Sequence, residues 1–146
     1  MYDQNTGIYT ENHLASLLSQ KMNNPFSIAC IKFDSEKFDK IKGDLNKLTN
    51  ELENTLLIDC AASNSTKNTV YFLRYNIDLS LDDFSVAEVR SLNIQNQIVI
   101  KLEGLGFSIG SYDLFYKTFN NDVEIKSDLI KTAQTYLNDL VMQKQL

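Results

Sequence analysis

The chain has 146 residues, a formal net charge of −5 and a sequence pI near 4.8. That length predicts one domain, residues 1–146, whose core needs neither disulfides nor metals. A composition of 43% hydrophobic and 23% charged residues, with a single Pro, excludes a disordered or low-complexity chain. The acidity disfavours nonspecific binding to nucleic acid or to an anionic membrane.

The first helix is expected after Thr10, a plausible N-cap followed by Glu11. Leu14, Leu17, Leu18 and Met22 then recur at helical spacing, and Asn23-Asn24-Pro25 is a stop signal. Residues 26–33 read as a strand, and the run Ile28-Ala29-Cys30-Ile31 suggests burial on both faces. Asp34-Ser35 caps a second helical segment, in which Phe38, Ile41, Leu45, Leu48 and Leu52 form an apolar stripe that Gly43 interrupts. Core packing is the plain reading of that stripe, with a coiled-coil dimer seam the lesser alternative.

Residues 57–61 enter, and residues 70–75 leave, a hairpin whose tip is Ser63-Asn64-Ser65-Thr66-Lys67-Asn68-Thr69. Val70, Phe72 and Arg74 alternate with Tyr71, Leu73 and Tyr75, so the two sets face opposite sides of a strand. Residues 80–103 stay open. Ser80 or Asp82 caps a helix carrying Phe84, Ala87, Val89 and Leu92, while Ile98-Val99-Ile100 reads as either strand or helix. Gly104-Leu105-Gly106 predicts a turn, residues 107–112 a strand, and Ser127-Asp128 the start of a last helix. The face of that helix is Leu129, Ile130, Ala133, Tyr136, Leu137, Leu140 and Val141. This order predicts an α/β (α+β) sandwich, a mixed sheet with one tight hairpin covered by helices.

Cys30 and Cys60 read as reduced core thiols, a disulfide between neighbouring strands being the lesser alternative. His13 is the only histidine, so no zinc pattern exists and no cofactor is expected. No signal peptide and no apolar run of spanning length is seen, which predicts a cytoplasmic domain without direct membrane insertion. A longer, membrane-anchored parent protein remains compatible with that reading.

Four landmarks follow one another in an informative order. They are Asp3-Gln4-Asn5-Thr6-Gly7-Ile8-Tyr9, the strand Phe26-Ser27-Ile28-Ala29-Cys30-Ile31-Lys32-Phe33-Asp34, the hairpin with Asp59 ahead of it, and Ser108-Ile109-Gly110. A helix with Ala133-Gln134 follows the last of these. Together they resemble a GGDEF domain, the catalytic domain of bacterial diguanylate cyclases, over nearly the whole chain. The landmarks correspond to its Asp-x-Leu-Thr-Gly-Leu opening, its first strand ending in Asp-x-Asp, its signature hairpin and its Ser-Ile-Gly strand. The final helix is similar to the family's Leu-x-x-x-Ala-Asp-x-Ala-Leu-Tyr helix. The resemblance implies a nucleotidyl-cyclase palm-like sheet.

The departures bear on function. The Gly-Gly-Asp-Glu-Phe signature is replaced by Ser65-Thr66-Lys67-Asn68-Thr69. Active family members use a first-strand carboxylate and a hairpin carboxylate to hold two metal ions, which activate the 3′-hydroxyl for in-line attack on a triphosphate. Here Lys32 replaces the first Asp, Asp34 alone remains, and Lys67 and Asn68 replace the hairpin acids. A protonated lysine cannot ligate a hard cation. Ser65 and Thr66 add Cβ atoms where glycines let backbone approach the nucleotide. In the shortened guanine-recognition stretch Lys42 replaces the family's Asn, and Asp44 is the surviving Asp. Leu56-Leu57-Ile58-Asp59 stands where Arg-x-x-Asp would bind the inhibitory product, so cyclic di-GMP binding there is not expected.

Each candidate also has a plain reading. Lys67 is an exposed hairpin lysine or a phosphate contact, Asp34 an N-cap or a remnant ligand, and His13 a surface or half-buried side chain rather than a base. Asp82-Asp83 marks a helix start, and Asp122 and Glu124 a solvated loop. Arg74 and Arg90 are the only arginines, which argues against phosphate-rich ligands generally.

The expected function is a catalytically inactive GGDEF-like regulatory or protein-interaction domain in bacterial cyclic di-GMP-related signalling. Its expected partners are a protein or a neighbouring domain, such as an EAL phosphodiesterase or a sensor, or a second copy in a homodimer, and not nucleic acid. The alternative is a non-catalytic sensor that binds GTP or cyclic di-GMP through Asp34, Asp44 and Lys67. An enzyme of another class ranks last, since no nucleophile, base or metal set is visible.

Overall fold

The computed structural model describes residues 2–21, 26–55, 57–75, 84–119 and 129–144. In chain order these form β1 (Tyr9–Thr10), α1 (Glu11–Lys21), β2 (Phe26–Lys32), α2 (Ser35–Ile41), a 3-10 turn (Lys42–Asp44), α3 (Leu45–Asn54), β3 (Cys60–Asn64), β4 (Thr69–Arg74), α4 (Phe84–Gly104), β5 (Asp113–Phe119) and α5 (Leu129–Lys144). The strands make one mixed sheet in the order β1-β3-β4-β2-β5, with β1 parallel to β3 and every other neighbouring pair antiparallel.

Alternation along the strands divides the core between two faces. Ala29 and Ile31 of β2 join Val70 and Phe72 of β4 under the apolar faces of α2, α3 and α4. Ile28, Cys30, Tyr71 and Leu73 point the other way, onto Leu14 of α1 and Ala133 and Leu137 of α5. Helices therefore cover both faces of the sheet, and β2, paired on both edges, is buried along its length apart from Lys32. Burial of each large side chain in these layers contributes about 1.5–3 kcal/mol.

The apolar stripe behaves as its spacing predicts, since Phe38, Ile41, Leu45, Leu48 and Leu52 are all buried. The break at Gly43 is the 3-10 turn between α2 and α3. In α4, Ile94, Ile98 and Leu102 are buried at four-residue spacing while Ile100 is 56% exposed, which resolves the ambiguity of Ile98-Val99-Ile100 as helix. Thr10 Oγ1 accepts the His13 N–H at 3.3 Å, so Thr10 caps α1 as its position suggests.

Two expectations and one lesser alternative are corrected. Residues 107–112 are not a strand: Gly106 and Gly110 take φ values of 96° and 91°, and the Ser111 N–H turns back onto the Ser108 carbonyl at 3.0 Å. Ile109 is 72% exposed, and Phe107 and Tyr112 anchor the loop by packing on Phe33, each with ring centroids 5.7 Å away. The strand follows as β5. The hairpin's entering strand also starts later than residues 57–61 suggest, because Leu57 closes the end of α3 through its N–H on the Leu52 carbonyl at 2.9 Å. Finally, Cys30 and Cys60 are free and buried, but not on neighbouring strands. β4 runs between them, with Cys30 opposite Tyr71 and Cys60 opposite Leu73. Two strand spacings, about 9–10 Å, exceed the reach of a disulfide.

Asn23-Asn24-Pro25, Ser80, Asp82, Asp83, Asp122, Glu124, Ser127 and Asp128 lie outside the described residues. No helix among the described residues is long and apolar enough to cross a membrane.

Candidate functional site

The register of β2 against β4 brings most of the remnant positions to one junction. Lys32 stands opposite Thr69, and the Phe33 N–H donates to the Asn68 carbonyl at 3.0 Å. Asn68 takes φ 53°, a left-handed value that Asn tolerates better than most residues, and its Nδ2 donates to Ser35 Oγ at 3.2 Å. The end of β2 and the hairpin turn are thus tied together through the backbone and by a side chain.

Asp34 sits at this junction as the N-cap of α2. Its Oδ1 accepts the Lys37 N–H at 2.8 Å and its Oδ2 accepts the Lys37 ammonium at 2.9 Å. The backbone N–H of Lys37, then its ammonium, hold the carboxyl below its ordinary value. Both carboxylate oxygens are committed within one helical turn. Ser35 and Asn68 supply neutral groups nearby, Lys32 and Lys67 are cations, and Asp113 of β5 stands opposite Lys32. With Asp34 tied to Lys37, that set falls short of the several anionic oxygens that a pair of hard divalent ions requires. Among the described residues no group of three or more His, Cys, Asp or Glu side chains is placed to hold a metal ion.

The other side of the hairpin turn is held by an acid that sequence reasoning placed only in the opening motif. Asp3 Oδ1 accepts the Asn5 N–H at 3.0 Å, an Asx turn, while Oδ2 accepts Ser63 Oγ at 2.8 Å and the Ser65 hydroxyl. Burial raises the Asp3 carboxyl, but the hydrogen bonds from Ser65, Asn5 and Ser63 outweigh it and hold the group below its ordinary value. Ser63 Oγ also bonds Thr6 Oγ1 at 2.8 Å, and Asn64 Nδ2 donates to Glu11 Oε2 at 2.6 Å. The signal for Asp3 lay in Asp3-Gln4-Asn5-Thr6-Gly7, a turn sequence whose first residue has a free carboxylate. Its partners lie some sixty residues away and carry no local signal.

Around this network Asp3, Glu11, Asn64, Thr66 and Lys67 line an open cavity of about 510 Å³. Thr66 and Lys67 are exposed at the tip. Asp44 lies elsewhere, beside Lys47, Glu51 and Lys101 in a groove of about 350 Å³ between α3 and α4. The three residues of the sensor reading therefore occupy three settings: Asp34 in a cap, Lys67 at the hairpin tip and Asp44 in that separate groove. His13 packs its ring on Tyr9 with centroids 4.5 Å apart.

The chain matches no protein-family model, no curated protein and no solved structure.

Proposed function

We propose that the chain is a catalytically inactive domain with a GGDEF-like, palm-like fold that serves as a regulatory or protein-interaction module in bacterial cyclic di-GMP-related signalling. The observation that carries this reading is the junction of β2 with the hairpin. The register that sets Lys32 opposite Thr69 supports an ancestral two-strand site at this point. At the same point the carboxylate that ends β2, Asp34, is bound on both oxygens by Lys37. In-line attack on a triphosphate needs metal-held phosphates, and the junction offers lysines instead. The work of such a domain then falls to its surface, toward a neighbouring sensor or EAL domain, another protein or a second copy.

One observation favours the nucleotide-sensor alternative: the hairpin borders the cavity of about 510 Å³, with Lys67 at its rim. Asp3 and Glu11 on the same wall oppose a triphosphate there. Calorimetric titration of the purified chain with GTP and with cyclic di-GMP, both with Mg²⁺, separates the readings. Silence for both is the expected result. Saturable binding without turnover selects the sensor, and Mg²⁺-dependent formation of cyclic di-GMP from GTP refutes the inactive assignment.

A further inference from the structure

Helix α3 carries two stripes. Leu45, Leu48 and Leu52 enter the core, while Asn46, Thr49, Asn50 and Glu53 recur at i, i+3, i+4 and i+7 on another face. These four, with the rings of Tyr2 and Tyr9, line a cavity of about 200 Å³ over the loop that leads into β1. Gly7 brings that loop close with φ 77°, and a Cβ added there would meet Asn46 Nδ2 at 3.5 Å.

The polar groups of this cavity have few partners of their own. Thr49 is only 5% exposed, yet its hydroxyl makes no hydrogen bond. A buried hydroxyl left without a partner costs about 1–3 kcal/mol. Among the described residues no hydrogen bond or ion pair engages the side chains of Asn46, Asn50 or Glu53. Among the described residues no Lys, Arg or His lines the cavity. Burial, then the charge of nearby Asp59, pushes the Glu53 carboxyl above its ordinary value, as expected where negative charge lacks a counter-ion.

The chemistry of the wall selects the ligand. It holds a carboxylate, an unpartnered hydroxyl and two carboxamides, each with an oxygen able to accept, beside a stacked tyrosine pair with centroids 5.0 Å apart. A primary ammonium is complementary: one positive charge, three donors and no acceptor. An anion would meet Glu53 and Asp59. A cavity of about 200 Å³ has room for an alkylammonium group. We propose that the cavity formed by Tyr2, Tyr9, Asn46, Thr49, Asn50 and Glu53 binds an alkylammonium group, carried by a small free amine or by a lysine side chain of a protein partner. The site is independent of the hairpin and of the function proposed for it.

The test is an NMR titration of the ¹⁵N-labelled chain at neutral pH with ethanolamine and with Nα-acetyl-lysine methylamide. Nα-acetyl-norleucine methylamide serves as the uncharged control. The expected result is saturable shifts confined to residues 7–9 and 46–53, with the control at least about tenfold weaker, the loss expected for a charge-assisted contact. Saturation by both amines assigns the site to amines generally; saturation by the lysine derivative alone assigns it to a lysine side chain. Glu53→Gln weakens amine binding by about tenfold or more, and Asn50→Lys, at an exposed position, blocks the site with its own ammonium. Absence of saturable shifts with both amines, equal binding of the norleucine control, or undiminished binding in Asn50→Lys or Glu53→Gln overturns the proposal.

Discussion

Truncating Asp3 tests whether the N-terminal loop and the hairpin are held as one unit. In Asp3→Ala the Asn5 N–H, the Ser63 hydroxyl and the Ser65 hydroxyl all lose their acceptor. Hydrogen bonds to a charged group contribute about 1.5–3 kcal/mol each when buried. Asp3 is only partly buried, so solvent screens the carboxylate, and Ser63 keeps its bond to Thr6. The net cost is therefore well below the sum, at about 1.5–2 kcal/mol. At about 2–4 °C per kcal/mol for a chain of this size, Tm falls by about 3–8 °C. The carboxyl is held below its ordinary value of 3.8 in the folded chain. Its contribution is thus complete above the unfolded value and disappears as the pH drops through the folded one. Thermal unfolding of the wild type and Asp3→Ala should accordingly differ at neutral pH and converge in acid. A Tm change below about 1 °C at neutral pH, or a difference that survives undiminished in strong acid, refutes the reasoning.

The hairpin and the core each supply a further check. Asn68→Val forces a β-branched residue to φ 53° and removes the bond to Ser35, for a loss of about 1–3 kcal/mol in urea unfolding. Asn68→Gly changes stability by less than about 0.5 kcal/mol, because relief of the left-handed strain offsets the lost hydrogen bond. Equal effects of the two would place the backbone outside the left-handed region. Cys30 and Cys60 should resist a thiol reagent in the native chain and both react in denaturant. Cys30 resists twice over, because burial hides its sulfur and pushes its thiol pKa up. Stoichiometric labelling of both under native conditions contradicts their burial.

Legibility followed the range of the interactions involved. The stripe through Phe38, Ile41, Leu45, Leu48 and Leu52 was readable because helical burial writes its period into neighbouring residues. Asp34 was readable as a cap because its partner is three residues away. Residues 107–112 misled because Phe107 and Tyr112 are buried by packing on Phe33 rather than by pairing in the sheet, and apolar spacing does not separate the two. The separation of Cys30 from Cys60 depends on β4 inserting between β2 and β3, a matter of strand order that no local pattern encodes. At the candidate site, the tie of Asn68 to Ser35 and the reach of Asp3 to Ser63 and Ser65 join distant segments. Within the site, only the Asp34 cap and the residue types at the hairpin tip could be read directly.

The hairpin is a structural tie as well as a turn. Ser63, Asn64 and Ser65 bond to Asp3, Thr6 and Glu11, Asn68 bonds to Ser35, and Thr69 Oγ1 donates to the Lys67 carbonyl. Apart from Thr66 and Lys67 at the exposed tip, these side chains tie the hairpin to the opening loop and to the starts of α1 and α2. The charges at the junction include Lys32, Lys37 and Lys67, with Asp34 bound to Lys37 and Asp113 of β5 opposite Lys32. A turn that grips a metal–nucleotide complex needs acceptors facing outward and backbone free to approach the phosphates. A turn that holds a scaffold needs its polar side chains bonded within the chain. Ser63, Asn64, Ser65, Asn68 and Thr69 meet the second requirement, which supports the proposal that the domain acts through its surfaces.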